Sequence, residues 1–138
     1  MSKFKLNIVT PEGVVYNDKA EMVSVRTIDG DRGFLANHQP LVTGLEIGEI
    51  KVKKTADKED KLAATKGYME VKPAEINILV EAAELSENID IERAEDAKNR
   101  AEDRLKEINK DYIDKDRAEV ALQKSLNRLR VSKGRNFE

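Results

Sequence analysis

The distribution of glycine and proline divides this chain near residue 85. The first 85 of its 138 residues contain six of the seven glycines and all three prolines, and the one later glycine is Gly134. Glycine and proline mark turns, so residues 86–133, which contain neither, are typical of long regular structure. The sequence therefore predicts two domains, residues 1–85 and residues 86–138.

Residues 1–85 carry short segments of alternating hydrophobicity. Phe4, Leu6 and Ile8 alternate with polar neighbours, which is the period of a half-buried strand. The same alternation recurs at residues 23–27, 50–53 and 76–80. Turn-forming segments separate these runs at residues 10–13, 29–33, 56–60, 65–67 and 72–73. Strands at this spacing predict a β-sandwich or barrel rather than a parallel α/β fold. Residues 34–40 have no clear period and are predicted to form an ordered loop.

Residues 86–138 read as two helices. Asp90 is a good N-cap for the first, whose apolar stripe is rich in alanine: Ala94, Ala97, Ala101, Leu105, Ile108 and Tyr112. The second carries Ala118, Ala121, Leu122, Ser125, Leu126 and Leu129 on one stripe. A break at 109–111 or at 113–114 predicts an antiparallel hairpin. The fold class is therefore α+β, an all-β sandwich followed by a two-helix hairpin, and no internal repeat is evident.

Composition excludes several classes of protein. The chain has no cysteine and one histidine, so thiolate zinc sites, His-rich metal sites and thiol nucleophiles are not expected. No apolar run approaches the ~20 residues of a membrane span. A net charge of −2 does not favour nucleic acid as a partner. No phosphate-binding loop, nucleophile elbow or zinc-protease motif is present, so no catalytic residues and no metal site are predicted.

Three polar features admit both a structural and a functional interpretation. His38 can be interpreted either as a loop histidine that is hydrogen-bonded to the backbone or as a general base. Asp90 and Arg93 are an N-cap and a surface arginine, or part of an anion site at a helix start. Residues 115–135 carry seven basic and two acidic groups, so the second helix has a solvated basic face or a docking strip for an acidic partner.

Five motifs occur in order along nearly the whole chain: Val9-Thr10-Pro11-Glu12-Gly13, Gly33-Phe34-Leu35-Ala36-Asn37-His38-Gln39-Pro40-Leu41, Lys66-Gly67-Tyr68-Met69-Glu70-Val71, Ile89-Asp90-Ile91-Glu92-Arg93-Ala94 and Asn127-Arg128-Leu129-Arg130-Val131. Together they resemble the epsilon subunit of F-type ATP synthases. Three positions depart from that family's pattern, namely Ala36 for proline, Asn37 for glycine and Lys66 for glycine. Asn37 tolerates the left-handed backbone that a glycine would adopt.

The resemblance implies a non-catalytic rotor subunit at the cytoplasmic face of the bacterial cell membrane. Its sandwich would contact the gamma subunit and the c-ring, near Asp31, Arg32, Phe34 and His38. Its helical arm would either fold on the sandwich or extend into the alpha/beta catalytic head and inhibit ATP hydrolysis. Membrane association would arise only through the complex, and no cofactor would be required beyond a regulatory ATP.

The resemblance also implies individual binding residues. The nucleotide site would comprise Glu84, Ile89, Asp90, Arg93, Ala94, Arg100, Lys124 and Arg128. Lys124 stands where ATP-binding members tend to carry arginine, and lysine lacks the fork that grips a phosphate at two points. The beta-subunit contact would comprise Lys124, Arg128, Arg130, Lys133 and Arg135. The alternative is a free-standing protein-binding module that uses its basic C-terminal helix.

Overall fold

The computed structural model describes residues 2–107 and 112–133, and these residues form ten strands, a 3₁₀ turn and two α-helices. They form two compact units, Met1–Leu85 and Ser86–Glu138. The strands of the first unit are β1 (Phe4–Thr10), β2 (Gly13–Ala20), β3 (Met22–Thr27), β4 (Gly30–Leu35), β5 (Leu41–Leu45), β6 (Gly48–Thr55), β7 (Lys58–Ala64), β8 (Gly67–Val71), β9 (Glu75–Val80) and β10 (Ala83–Leu85). A 3₁₀ turn, Ser86–Asn88, precedes the helices α1 (Ile91–Glu107) and α2 (Tyr112–Lys133).

The strands of the first unit form two hydrogen-bonded layers. One layer has the order β4-β3-β6-β7-β10, and the other has the order β5-β8-β9-β1-β2. A single residue pair, Thr27 with Leu45, joins β3 to β5 and connects the layers at one corner. All neighbouring strands run antiparallel except β1 and β9, which run parallel. The predicted sandwich is thereby confirmed.

The inward halves of the alternating segments fill the space between the layers. Phe4, Leu6 and Ile8 are buried along β1, and Ile76 and Ile78 are buried along β9, as the period-two pattern predicts. Burial of large aliphatic side chains at roughly 25 cal/mol per Å² makes this core the main source of the unit's stability.

Polar side chains join the layers along a second edge. The Tyr16 hydroxyl of β2 donates a 2.7 Å hydrogen bond to Asp60 Oδ2 of β7. Lys54 of β6 lies 2.7 Å from Asp18 and 3.5 Å from Asp60, with its ammonium 5.7 Å from the centre of the Tyr16 ring. Burial, followed by the hydrogen bond to Asp60, raises the pKa of Tyr16 far above its ordinary value. The cluster connects β2 to strands of the opposite layer.

Two sequence predictions near residue 30 were wrong. Residues 29–33 were predicted to form a turn and residues 34–40 a loop, but β4 runs from Gly30 to Leu35. Pairing with the whole of β3 stabilises this glycine-containing segment as a strand. The remaining loop contains Asn37 at φ 65°, the left-handed conformation that asparagine tolerates, and the Asn37 N–H donates to the Pro73 carbonyl. Lys66 does not have a positive φ.

Helix α1 begins where the sequence predicts. Asp90 Oδ1 accepts a 3.1 Å hydrogen bond from the Arg93 N–H, and the Asp90 carbonyl accepts from the Ala94 N–H. Asp90 is therefore the N-cap. Ala94 and Ala101 are the buried residues of α1, which packs against α2. Because α2 also contacts the 3₁₀ turn ahead of α1, the two helices run antiparallel.

Helix α2 corrects two details of the sequence analysis. It begins at Tyr112, so residues 113–114 lie within the helix, while a break at 109–111 lies outside the described residues. Leu126 was predicted to lie on the apolar stripe, but it is 43% exposed. Ser125, on the same predicted stripe, is buried as expected, and its hydroxyl is satisfied by donating to the Ala121 carbonyl at 2.9 Å. Among the residues that the structure describes, no helix has the length and apolarity needed to cross a membrane.

Candidate functional site

A row of exposed apolar side chains crosses the outer face of the β5-containing layer. Direct cross-strand pairs connect Gly44 to Tyr68, Tyr68 to Leu79, Leu79 to Val9 and Val9 to Val14. Tyr68 is 67% exposed, Leu79 53% and Val14 65%. We call the row formed by Val9, Val14, Ile28, Tyr68 and Leu79 the apolar ladder.

Ile28 belongs to this row because it occupies the space above Gly44. A Cβ on Gly44 would lie 3.1 Å from Ile28 Cγ2, so the glycine allows the isoleucine to approach the strand. Between the side chains lies a shallow concave surface that Pro11, Lys66 and Glu81 also line. An apolar concavity with a few polar groups at its margin is typical of a docking surface.

The neighbouring row on the same face consists of polar side chains that bond to one another. Asn7 Nδ2 donates to Asn77 Oδ1 at 3.1 Å, and Asn77 Nδ2 donates to Glu70 Oε1 at 3.2 Å. Asn7 Nδ2 also donates to Glu75 Oε1 at 3.3 Å. These amides and carboxylates are already paired, so the apolar ladder rather than this row is the surface that a partner would bury.

The four residues predicted at the gamma or c-ring contact lie near one another. Asp31 and Arg32 are exposed on β4, Phe34 is fully buried, and His38 follows in the loop. The Arg32 guanidinium lies 5.2 Å from the centre of the Phe34 ring, and the His38 ring approaches the same phenyl edge-on, with centroids 5.2 Å apart. Arg26 lies 3.7 Å from Asp31. Phe34 therefore positions two cationic or polarisable side chains at the surface.

His38 is bonded to the backbone, which confirms the structural interpretation of this residue. Its Nδ1 lies 2.7 Å from the Gln39 carbonyl oxygen. No cluster of His, Cys, Asp or Glu side chains suited to a metal ion occurs within residues 2–107 and 112–133.

The helical unit contains a repeat that the sequence analysis did not detect. Residues 93–105 align with residues 117–129, with six of thirteen positions identical. The alignment superposes the buried Ala94 on the buried Ala118, and the buried Ala101 on the buried Ser125. Each helix therefore has small buried residues at equivalent positions of the repeat. A pseudo-twofold axis perpendicular to the helix pair would relate two antiparallel copies of such a pattern.

This symmetry places the basic residues of both helices on one face. Arg93, Arg100 and Arg104 in α1 align with Arg117, Lys124 and Arg128 in α2. The spacing of seven and then four residues keeps each set on one stripe, because a helix has about 3.6 residues per turn. A twofold axis perpendicular to the plane of the two helices superposes the stripe of α1 on the stripe of α2. Both stripes therefore lie on the same face of the helix pair. We call this surface of six residues the basic face.

Most cations of the basic face lack a carboxylate partner. Arg93, Arg100, Arg104, Arg117 and Lys124 make no ion pair with any residue in the described ranges. Neighbouring cations repel one another, so an anion bound between them lowers the electrostatic free energy. The donor chemistry of the basic face therefore fits a phosphate group.

The other residues predicted at the nucleotide site have different surroundings. Asp90 is exposed and caps α1, whereas Ile89 and Ala94 are buried. Glu84 belongs to β10 of the first unit. Of the predicted cations, Arg93 and Arg100 are exposed, whereas Lys124 and Arg128 are partly buried.

The residues predicted to contact the beta subunit are divided between two surfaces. Lys124 and Arg128 lie on the basic face and are partly buried. Arg130 and Lys133 are exposed elsewhere on α2, and Arg130 Nη2 donates to Asn127 Oδ1 at 3.3 Å. Arg135 lies outside the described residues. The structure therefore does not assemble the set into a single described patch.

The architecture defines a class of protein in which a β-sandwich is followed by a helical hairpin. The family model for the ATP synthase delta/epsilon chain, beta-sandwich domain, matches residues 3–86. The model for the ATP synthase delta/epsilon chain, long alpha-helix domain, matches residues 87–133. This chain belongs to the ATP synthase delta/epsilon family.

Curated relatives match over nearly their whole length. The ATP synthase epsilon chain of Bacillus velezensis is 50% identical over 133 residues, covering 96% of this chain and 98% of that protein. The ATP synthase epsilon chain of Halalkalibacterium halodurans is 45% identical over 132 residues, with the same two coverages. The recognised resemblance to bacterial epsilon subunits is confirmed.

Solved structures share the fold at low sequence identity. A chain of the Euglena gracilis mitochondrial ATP synthase superposes with a TM-score of 0.80 at 20% identity, covering 100% of this chain and 83% of that one. A chain from the central stalk and c-ring of the Tetrahymena thermophila enzyme gives a TM-score of 0.60 at 12% identity, covering 95% and 97%. These two comparisons support the arrangement of strands and helices.

Proposed function

We propose that this chain is a non-catalytic subunit of the central stalk of a bacterial F-type ATP synthase. The observation that carries the proposal is the apolar ladder, an exposed apolar row carried by strands β1, β2, β8 and β9 and by Ile28, which lies above Gly44 of β5. Apolar surface of this kind is costly to leave in water and marks a protein-docking site. Family membership supplies the class of partner, namely the other subunits of the synthase.

The sandwich has two surfaces suited to bridging two partners. The apolar ladder would dock on the gamma subunit. The cluster of Asp31, Arg32, Phe34 and His38, on the other layer and its loop, would contact gamma or the c-ring through polar groups. The subunit would then be peripheral at the cytoplasmic face of the cell membrane, associated only through the complex.

The helical hairpin would regulate ATP hydrolysis. The buried side chains of the two helices are mostly small, namely Ala94, Ala101, Ala118, Ser125 and Ser132, and only Asn127 and Val131 are larger. The hairpin therefore buries less apolar area than the sandwich core, and its helices would separate at modest cost. When extended, Lys124, Arg128, Arg130, Lys133 and Arg135 would meet acidic segments of the beta subunits. ATP bound by Arg93, Arg100, Lys124 and Arg128 would favour the folded arm to the extent that it binds that state more tightly.

The experiment adds purified chain to a catalytic head that lacks this subunit and follows ATP hydrolysis. Three proteins are compared: the full chain, a chain that ends at Leu85, and the full chain with Leu79→Asn. We expect all but the Leu79→Asn variant to bind, and only the full chain to inhibit strongly. Binding by neither the full chain nor the shortened chain would refute the stalk assignment.

Added salt tests whether the inhibition is electrostatic. Exposed charge pairs are screened over about 8 Å at physiological ionic strength. We therefore expect inhibition by the full chain to weaken severalfold between low salt and physiological salt, while binding of the shortened chain changes less. Inhibition that does not respond to salt would indicate steric or apolar docking of the arm instead.

The alternative function, a free-standing module with a basic docking helix, predicts no affinity for synthase subunits. Co-purification separates the two functions, because a stalk subunit would be recovered with gamma and a free module would not. Family membership favours the stalk subunit.

A further inference from the structure

The pseudo-twofold axis of the helical hairpin relates two groups of three cations. It exchanges Arg93 with Arg117, Lys124 with Arg100, and Arg128 with Arg104. We define the near triad as Arg93, Lys124 and Arg128, and the far triad as Arg100, Arg104 and Arg117. We propose that the far triad is a second phosphate-binding subsite, and that the hairpin binds a linear polyphosphate chain that extends over both triads.

The antiparallel register supports this grouping. With Glu107 and Tyr112 taken as level, Arg93 falls level with position 126, between Lys124 and Arg128, and the buried Ala94 falls level with the buried Ser125. By the same count Arg117 lies level with position 102, between Arg100 and Arg104. Each triad is thus one arginine on one helix facing two cations on the other. At about 1.5 Å of rise per residue, the two triads are centred about 13 Å apart along the helices.

The side chains of the far triad are available for an anion. Arg100, Arg104 and Arg117 are all exposed, and none makes an ion pair within the described ranges. All three are arginines, whose planar fork accepts two phosphate oxygens at once. Lysine replaces one arginine in the near triad, so by donor chemistry the far triad is the stronger of the two.

The spacing of the two triads favours a long phosphate chain over a short one. A nucleotide triphosphate on the near triad reaches towards Arg100 but does not cover Arg104 and Arg117, whereas a longer phosphate chain engages both groups. Asp96 and Glu107 border the stripe on α1 and repel an anion there, so binding requires contacts with several cations at once, which a long chain makes. No aromatic residue lies between 86 and 107 or between 115 and 133, so the face lacks the stacking groups of a single-stranded nucleic acid site.

The proposal rests on the anion-binding part of the proposed function, because the near triad belongs to both. The test therefore uses variants that separate the triads. The far variant is Arg104→Gln with Arg117→Gln, and the near variant is Arg93→Gln with Arg128→Gln. The matched control is Lys106→Gln with Lys115→Gln, which removes one exposed positive charge from each helix away from the basic face. Glutamine is a good helix former, and circular dichroism checks that the helices persist.

Titration calorimetry measures the binding of ATP, inorganic tripolyphosphate and long-chain inorganic polyphosphate to each full-length protein. We expect the far variant to bind the long chain about ten- to a hundredfold more weakly, since charge-assisted contacts are lost, with ATP and tripolyphosphate little changed. The near variant should lose affinity for all three ligands. The control should change affinity for the long chain no more than about threefold, the effect of a screened distant charge.

Three results would overturn the proposal. In the first, the far variant binds the long chain as tightly as the control does. In the second, the wild-type protein binds the long chain no more tightly than tripolyphosphate. In the third, poly-glutamate of matched charge binds as tightly as the long phosphate chain and depends on the far triad. The last result would indicate an acidic protein as the ligand. If ATP does not bind but the long chain binds through the far triad, the nucleotide part of the proposed function fails while the second subsite stands.

Discussion

The sandwich and the helical hairpin are stabilised by different classes of side chain. In the sandwich, large aliphatic and aromatic residues such as Phe4, Ile78 and Leu62 are fully buried. In the hairpin, the buried residues of α1 are both alanines, and the buried residues of α2 include Ala118 and Ser125. Because free energy scales with the apolar area buried, the sandwich is the rigid part and the hairpin is the weakly held part.

The same contrast holds for polar groups. The outer face of the sandwich pairs its amides and carboxylates, as in Asn7, Asn77 and Glu70. On the hairpin, Arg100 and Arg104 face solvent without a carboxylate partner in the described residues. Polar groups whose hydrogen bonds are satisfied stabilise one conformation of the surface. Charges without a partner make the stability of a surface depend on salt and on bound anions. The difference separates a surface whose polar groups are paired within the sandwich from a surface whose charges are open to salt and anions.

The largest expected effect comes from shortening a side chain in the core of the sandwich and comparing it with the same kind of change in the hairpin. Ile78→Ala should cost about 2–5 kcal/mol in the free energy of unfolding, since Ile78 is fully buried. Leu105→Ala, at a partly buried site of α1, should cost about 1 kcal/mol. Amide hydrogen exchange of the full chain measures both regions at once. Leu105→Ala should accelerate exchange in the helices alone, and equal acceleration in the strands would contradict the division.

The sandwich could be predicted well from the sequence because alternation reports burial directly. Phe4, Leu6 and Ile8 all lie in the core as the pattern indicates. The extent of β4 could not be predicted, because Gly30-Asp31-Arg32-Gly33 has the composition of a turn and only its pairing with β3 makes it a strand. Local preference was overridden there by tertiary contacts.

The two surfaces were harder to predict. The apolar ladder draws Val9, Tyr68 and Leu79 from distant segments, and only strand register brings them into one row. The near triad and Arg100 follow from the resemblance to epsilon subunits. Arg104 and Arg117 do not, because their common face depends on the repeat and on the antiparallel register of two helices.

The second prediction compares an exposed leucine in each region. Leu79→Asn should weaken binding to the purified gamma subunit by about 2 kcal/mol, or roughly thirtyfold, as for a central interface residue. Leu126→Asn in α2 is the matched control, since Leu126 is exposed to a similar degree outside the apolar ladder. Affinities from surface plasmon resonance decide between them. If the two variants weaken binding equally, the docking platform is not the apolar ladder.

The third prediction concerns the one lysine of the near triad. Lys124→Arg should tighten ATP binding about three- to tenfold, because a guanidinium holds two phosphate oxygens where an ammonium offers a point charge. Lys115→Arg, the same change on an exposed site away from the basic face, should have no effect on ATP binding. Titration calorimetry measures both. An unchanged affinity for Lys124→Arg would place Lys124 outside the phosphate contacts and confine the anion site to the arginines.

The smallest expected effect is the acid response of the polar edge of the sandwich. The hydrogen bond from Lys54 lowers the pKa of Asp18 below its ordinary 3.8, so the folded state favours the carboxylate. A lowered folded pKa contributes stability that is present above about pH 4 and is lost as the pH falls through the folded value. Since both side chains are partly solvated, the contribution is about 0–1 kcal/mol. Urea unfolding of wild type and Asp18→Asn should therefore differ at pH 6 and converge near pH 2. A difference that stays constant across that range would show that the aspartate acts through packing rather than charge.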